Sequence, residues 1–179
     1  MVEVLVAISI LLLATVGPMT IAARSLQYSQ FTAQQNAAFF LAQEGIEAVF
    51  KIRAEAGLAH LDNPGSNDAW DWMSDGDWAD CRGTDGCGID WRDDTLSNNL
   101  VSCSTIANCA LYFNSGNTRG RYTHQSSGDA TPFTRVITIE NISGTEALVR
   151  STVSWAAAGS GDSRTVTLQT YLHDIYDTN

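Results

Sequence analysis

The residues best equipped for chemistry are four cysteines in two equally spaced pairs, Cys81-x5-Cys87 and Cys103-x5-Cys109. Thiols cross-link, bind metal or attack substrates, depending on compartment and spacing. Four cysteines allow three disulfide connectivities. The matched spacings favour two local loops, 81–87 and 103–109. Rings this small remove about 2–3 kcal/mol of unfolded-chain entropy in the simplest treatment, and such bridges persist outside the reducing cytoplasm. The competing chemistry is zinc on four thiolates. Structural zinc prefers paired ligands separated by two to four residues, and five intervene in each pair.

Carboxylates are the second candidate. Residues 62–94 hold ten acids and two arginines, a local −8 in a chain whose net charge is −10. Asp75-Gly-Asp-Trp-Ala-Asp80 invites a calcium reading, but an EF-hand loop started at Asp75 needs an oxygen ligand where Ala79 stands. A non-standard calcium site is the alternative, a solvated acidic surface is the default, and no other cofactor is expected. Asp93-Asp94 are adjacent acids without a pocket, and His60, His124 and His173 lie in unrelated contexts. Neither a Gly-x-Ser-x-Gly elbow nor a phosphate-cradling glycine loop is present. Asn141-Ile-Ser143 matches a glycosylation sequon of low specificity. No enzyme is expected. A pI near 4.5 also argues against direct nucleic-acid binding.

Val4 to Ala23 is twenty residues without a formal charge, preceded by the acid Glu3. As a helix it would span about 30 Å, enough for a bilayer core. A secretory signal would show basic residues before a shorter apolar stretch. None of the first 23 residues is basic. A plain membrane anchor fits less well, because a carboxylate at the edge of an apolar span is costly without a partner. Gly17-Pro18 breaks the run with a poor helix former and a missing donor.

The run Met1-Val-Glu-Val-Leu-Val-Ala-Ile-Ser-Ile-Leu-Leu-Leu-Ala14, with Glu3 and the weakening pair Gly17-Pro18, resembles the N-terminal helix of type IV pilins and the related pseudopilins. In that family the glutamate is normally fifth in the mature chain. Here it is third, as though two residues, a basic leader and the glycine cut by a prepilin peptidase stood before Met1. The other reading starts the mature chain at Met1. The resemblance implies N-terminal methylation, polymerisation through the helix, and pairing of Glu3 with the terminal amine of an adjacent copy. It also implies loosening of the helix at Gly17 and Pro18 in the packed state. The partners it implies are copies of the chain in a helical filament, the prepilin peptidase and the pilus assembly machinery. The inner membrane would hold the chain before assembly, and the cell surface afterwards.

Residues 24–57 extend the helical pattern. Ala38, Leu41, Ala42, Gly45, Ala48, Val49 and Ile52 follow i, i+3, i+4, i+7 spacing, while Phe39, Phe40, Ile46 and Phe50 form a second apolar face. Gly57 is the expected helix end. Continuous helix over 1–57 would be about 85 Å long, more than a domain built from the remaining residues could cover. The 58–108 region is rich in Asp, Gly and Trp, with Trp70, Trp72, Trp78 and Trp91 among the acids. An ordered, tryptophan-packed loop and a sticky surface both fit, with packing favoured.

From Cys109 the period changes to two. Short strands are expected at 110–113 and 121–124. Three longer strands should follow, carrying Phe133, Ile137 and Ile139, then Val149, Val153 and Trp155, then Val166, Leu168 and Leu172. Turns are expected at Asn141–Gly144 and Gly159–Asp162. Such a meander is apolar on one face, and the long helix is the large apolar element able to cover it. The expected class is α+β, a long N-terminal helix (1–57, with an apolar half 1–23 and an amphipathic half 24–57) packed on an antiparallel sheet (109–179), with a disulfide-stapled acidic loop region between. Residues 131–139 and 149–155 also resemble the sheet of minor-pilin or pilus-modification proteins. The expected function is a filament subunit. The alternatives are a minor pilin or type II secretion pseudopilin, and a monomeric membrane-anchored binding domain.

Overall fold

A computed structural model describes residues 2–62, 70–73, 76–90, 100–116, 120–156 and 162–175. Helix α1, Val2–Asp62, passes the expected stop at Gly57 by five residues. Gly57 is buried and stays helical; Gly86 is the described glycine with positive φ. A glycine ends a helix only when the chain leaves it in the left-handed region, and Leu58-Ala-His-Leu61 instead favour another turn. Pro64, two residues beyond Asp62, forbids much further extension.

The chain divides into two compact units, Met1–Ala37 and Ala38–Asn179. The first is helix alone. In the second, the buried stripe of α1 from Ala38 to Val49 packs on a seven-stranded sheet. Its strands are β1 (Cys87–Gly88), β2 (Val101–Ser102), β3 (Ala110–Asn114), β4 (Arg121–Thr123), β5 (Asp129–Ser143), β6 (Glu146–Ala156) and β7 (Ser163–His173). A short helix α2, Ala79–Arg82, precedes β1. All described pairings are antiparallel. The class is α+β, as the change of period from 3.6 to 2 requires.

β5 is the organising strand. It pairs with β6 along one edge and with β3 and β1 in succession along the other. The sheet therefore starts earlier than residue 109, because the loop region itself contributes β1 and β2. The β5–β6 turn also differs from expectation. Asn141-Ile-Ser143 stays in β5 across a register shift, and Gly144-Thr145 makes the two-residue connection. The 159–162 turn lies mostly outside the described residues.

The core sits where α1 meets the central strands. Ala48 and Val49 join Ile137, Ile139, Val149 and Leu172, with Trp72, Trp78 and the Cys81–Cys87 bridge closing one end. Trp72 and Trp78 meet edge to face at 4.8 Å, a favourable aromatic geometry. The two tryptophans are packing residues. The close helix–sheet approach depends on Gly45: a Cβ there would stand 2.5 Å from Ser151 Oγ and 3.2 Å from Arg135 Cδ. The stripe expected from periodicity is buried from Ala38 to Val49, while Ile52 is half-buried. Phe39, Phe40 and Phe50 of the second face are exposed.

Candidate functional site

In the Met1–Ala37 unit, no residue of the most apolar 18-residue window is buried. Leu5, Leu11, Leu13 and Met19 are each exposed by about two thirds or more. The helix is long and apolar enough to cross a membrane. Three hydroxyls of its apolar stretch are turned inward on the backbone. Ser9 donates to the Leu5 carbonyl at 2.8 Å, Thr15 to Leu11 and Leu12 at 3.1 Å, and Thr20 to Gly17 at 2.8 Å. Back-bonding of this kind removes the cost of carrying a hydroxyl into an apolar phase. Glu3 is exposed in the first turn, where a carboxylate complements the helix dipole. Gly17 and Pro18 lie within unbroken helix, with open space around the Gly17 Cβ position. The expected loosening is therefore not a property of the single chain. Pro18 still leaves the Ala14 carbonyl without its usual donor.

The cysteines form Cys81–Cys87 and Cys103–Cys109, each bridge joining residues six apart, with none left free. With all four sulfurs bridged, the zinc alternative is removed. The first bridge closes α2 onto β1 and the second closes β2 onto β3. Gly86 lies between them with φ +72, and its carbonyl accepts from Cys103 N–H at 3.1 Å. Of the calcium candidates, Asp80 is exposed. Asp75 and the side chain of Asp77 lie outside the described residues, as do Asp93 and Asp94. Among the described residues there is no cluster of three metal-ligating side chains.

The structure assembles one polar group that sequence patterning did not single out. Arg135 occupies an inward position of β5 between Phe133 and Ile137, and it is fully buried. Its Nη1 donates to the Leu41 carbonyl at 3.2 Å and stands 3.4 Å from Glu44 Oε1; its Nη2 donates to the Ile89 carbonyl at 2.7 Å. One guanidinium thereby ties α1 to the chain after β1. Strand parity carried the signal, since residue 135 shares its face with 133, 137 and 139.

Beside it, Asp90 accepts from the Thr123 hydroxyl at 2.6 Å and from the His124 backbone N–H at 3.0 Å. The His124 ring packs on Gly88 and lies by the Cys109–Ala110 backbone, with neither nitrogen completing a hydrogen bond among the described residues. Burial, reinforced by the Arg135 charge and opposed by Asp90, lowers its pKa to about 4. His124 is a neutral packing residue near neutrality. His173, at the end of β7, is exposed and 4.0 Å from Glu146. The histidines are not brought together.

A groove of about 540 Å³ runs between Arg82–Thr84 and β5, lined there by Thr138, Ile139, Glu140 and Asn141. Arg150 pairs with Glu140 there at 2.8 Å. It contains no nucleophile with an adjacent base. The feature with the greatest functional reach is thus the uncovered apolar helix. Comparison of the chain with family models, with curated proteins and with solved structures gives no match.

Proposed function

We propose that the chain is a structural subunit of a type IV pilus-like filament, polymerising through the first half of α1, and not an enzyme. The observation that carries this reading is the 0% burial of an 18-residue apolar window in a helix whose later residues are packed on a disulfide-stapled sheet. Apolar side chains gain about 25 cal/mol per Å² on leaving water. A bilayer supplies that gain before assembly, and the helices of other copies supply it afterwards. Glu3 would then need a cation in the apolar filament interior, for which the terminal amine of a neighbouring copy is suited. The inner membrane and later the cell surface are the corresponding locations, and the disulfides suit an oxidising compartment.

The test is electron microscopy of fibres from cells expressing the full chain, beside the Glu3→Ala variant. The expected result is fibres from the parent chain and at least a tenfold lower yield from Glu3→Ala. The melting temperature of the Ala38–Asn179 unit should be unchanged. Normal fibre yield from Glu3→Ala rejects the assignment. Detergent extraction that returns only monomers of the parent chain favours an anchored binding domain instead.

A further inference from the structure

The sheet has edges of unequal length. β2 and β4 have two and three residues, whereas β7 has eleven and, among the described residues, pairs only with β6. Long edges are ordinarily blunted by lysine, proline or a bulge. β7 has neither residue, and its register with β6 runs without a shift.

Two contacts fix which backbone groups face outward. Asp174 N–H donates to the Thr145 carbonyl at 2.8 Å, on the β6 side, while the His173 carbonyl accepts from the Arg53 guanidinium instead. Backbone polar groups alternate between the two sides of a strand. Even-numbered residues therefore ladder with β6, and Thr165, Thr167, Gln169 and Tyr171 present their N–H and C=O groups at the edge. The even-numbered side chains include Val166 and Leu168, which are only half-buried on the helix-bearing face.

We infer that β7 is a strand-addition site for the β7 of a second copy of this chain, paired antiparallel about Gln169. In that register the outward groups of 167 meet those of 171, and Gln169 meets its counterpart. Val166 falls opposite Leu172, which extends the apolar face. Arg164 falls opposite Asp174 at both ends of the paired strands. Such a contact is isologous and closes after two copies. It joins two chains or two filaments side by side and cannot lengthen one, so it does not rest on the filament reading.

All four native cysteines are bridged, so one introduced cysteine is the sole free thiol. The probe is the full chain in detergent micelles carrying Gln169→Cys, oxidised and resolved without reductant. A hydrogen-bonded antiparallel pair sets Cα atoms about 5.5 Å apart, within disulfide range. The expected result is a cross-linked dimer. Thr165→Cys or His173→Cys alone should give at least tenfold less, because eight residues, about 27 Å, separate each from its own counterpart. Mixing those two variants should restore the dimer. Adding Leu168→Lys to Gln169→Cys should cut the yield about tenfold without lowering the melting temperature, and adding Glu3→Ala should leave it unchanged. No dimer at 169, equal dimer at all three positions, or a yield that falls with Glu3→Ala overturns the inference.

Discussion

The two halves of α1 are built from the same secondary structure and differ in which side chains they offer. Before residue 38 the apolar positions are Leu, Ile, Val and Met, and they stand in the open. From 38 to 49 the buried positions are mostly Ala and Gly, with Leu41 and Val49 among them. Small residues let a helix come close to a sheet, as Gly45 does against Ser151 and Arg135. Large ones at full exposure need a partner that is itself apolar. Both halves are helical despite Gly17 and Pro18 in the first, so the difference lies in the partner: the sheet for the second half and, on the filament proposal, other copies for the first.

The comparison is broken most severely at Arg135. Arg135→Met removes a buried cation and leaves the Leu41 and Ile89 carbonyls and Glu44 without it. A loss of about 3–5 kcal/mol is expected in a denaturant titration. Gly45→Val should cost about 3 kcal/mol by forcing α1 away from Ser151. Gly17→Val, where nothing lies within 4 Å of the new Cβ, should leave the same unfolding midpoint in place. Equal losses from the two glycine variants would erase the distinction between the halves.

Acid sharpens it further. The folded-state pKa of His124, about 4, lies below the ordinary 6.5 because the ring is buried beside Arg135. The unfolded chain therefore binds the extra proton first. Stability is fully present above pH 6.5 and is lost as pH falls through 4, by about 3 kcal/mol. Melting temperatures should drop over that window, and His124→Gln should flatten the slope. The smallest effect is expected from Gly17→Ala, which should raise helicity of the first unit by about 1 kcal/mol of propensity and leave the sheet's melting untouched. Far-UV circular dichroism in micelles would register it.

Much of this architecture is legible in residue order. The uncharged run, the Ala–Gly stripe and the switch to period two at Cys109 each depend on near neighbours, and such patterns are set by local geometry. The local disulfide loops follow the same logic, since six residues are enough to bring the sulfurs together. The helix end is harder to read. Gly57 carries a stop signal, yet it is buried and helical and α1 is described through Asp62. The β5–β6 turn slips for a related reason: Asn141-Ile-Ser143 reads as a turn in isolation, but the long ladder to β6 keeps it extended.

Sequence alone determined that the chain has an apolar rod followed by a sheet, because hydrophobic period and turn chemistry are encoded within a few residues. Tertiary structure decided which long-range groups meet. Arg135 reaches Leu41 and Ile89, Asp90 holds the His124 backbone, and β7 is left as the long outer edge. Those contacts join residues 34 to 94 positions apart, and no local pattern specifies a meeting that only closure of the whole fold brings about.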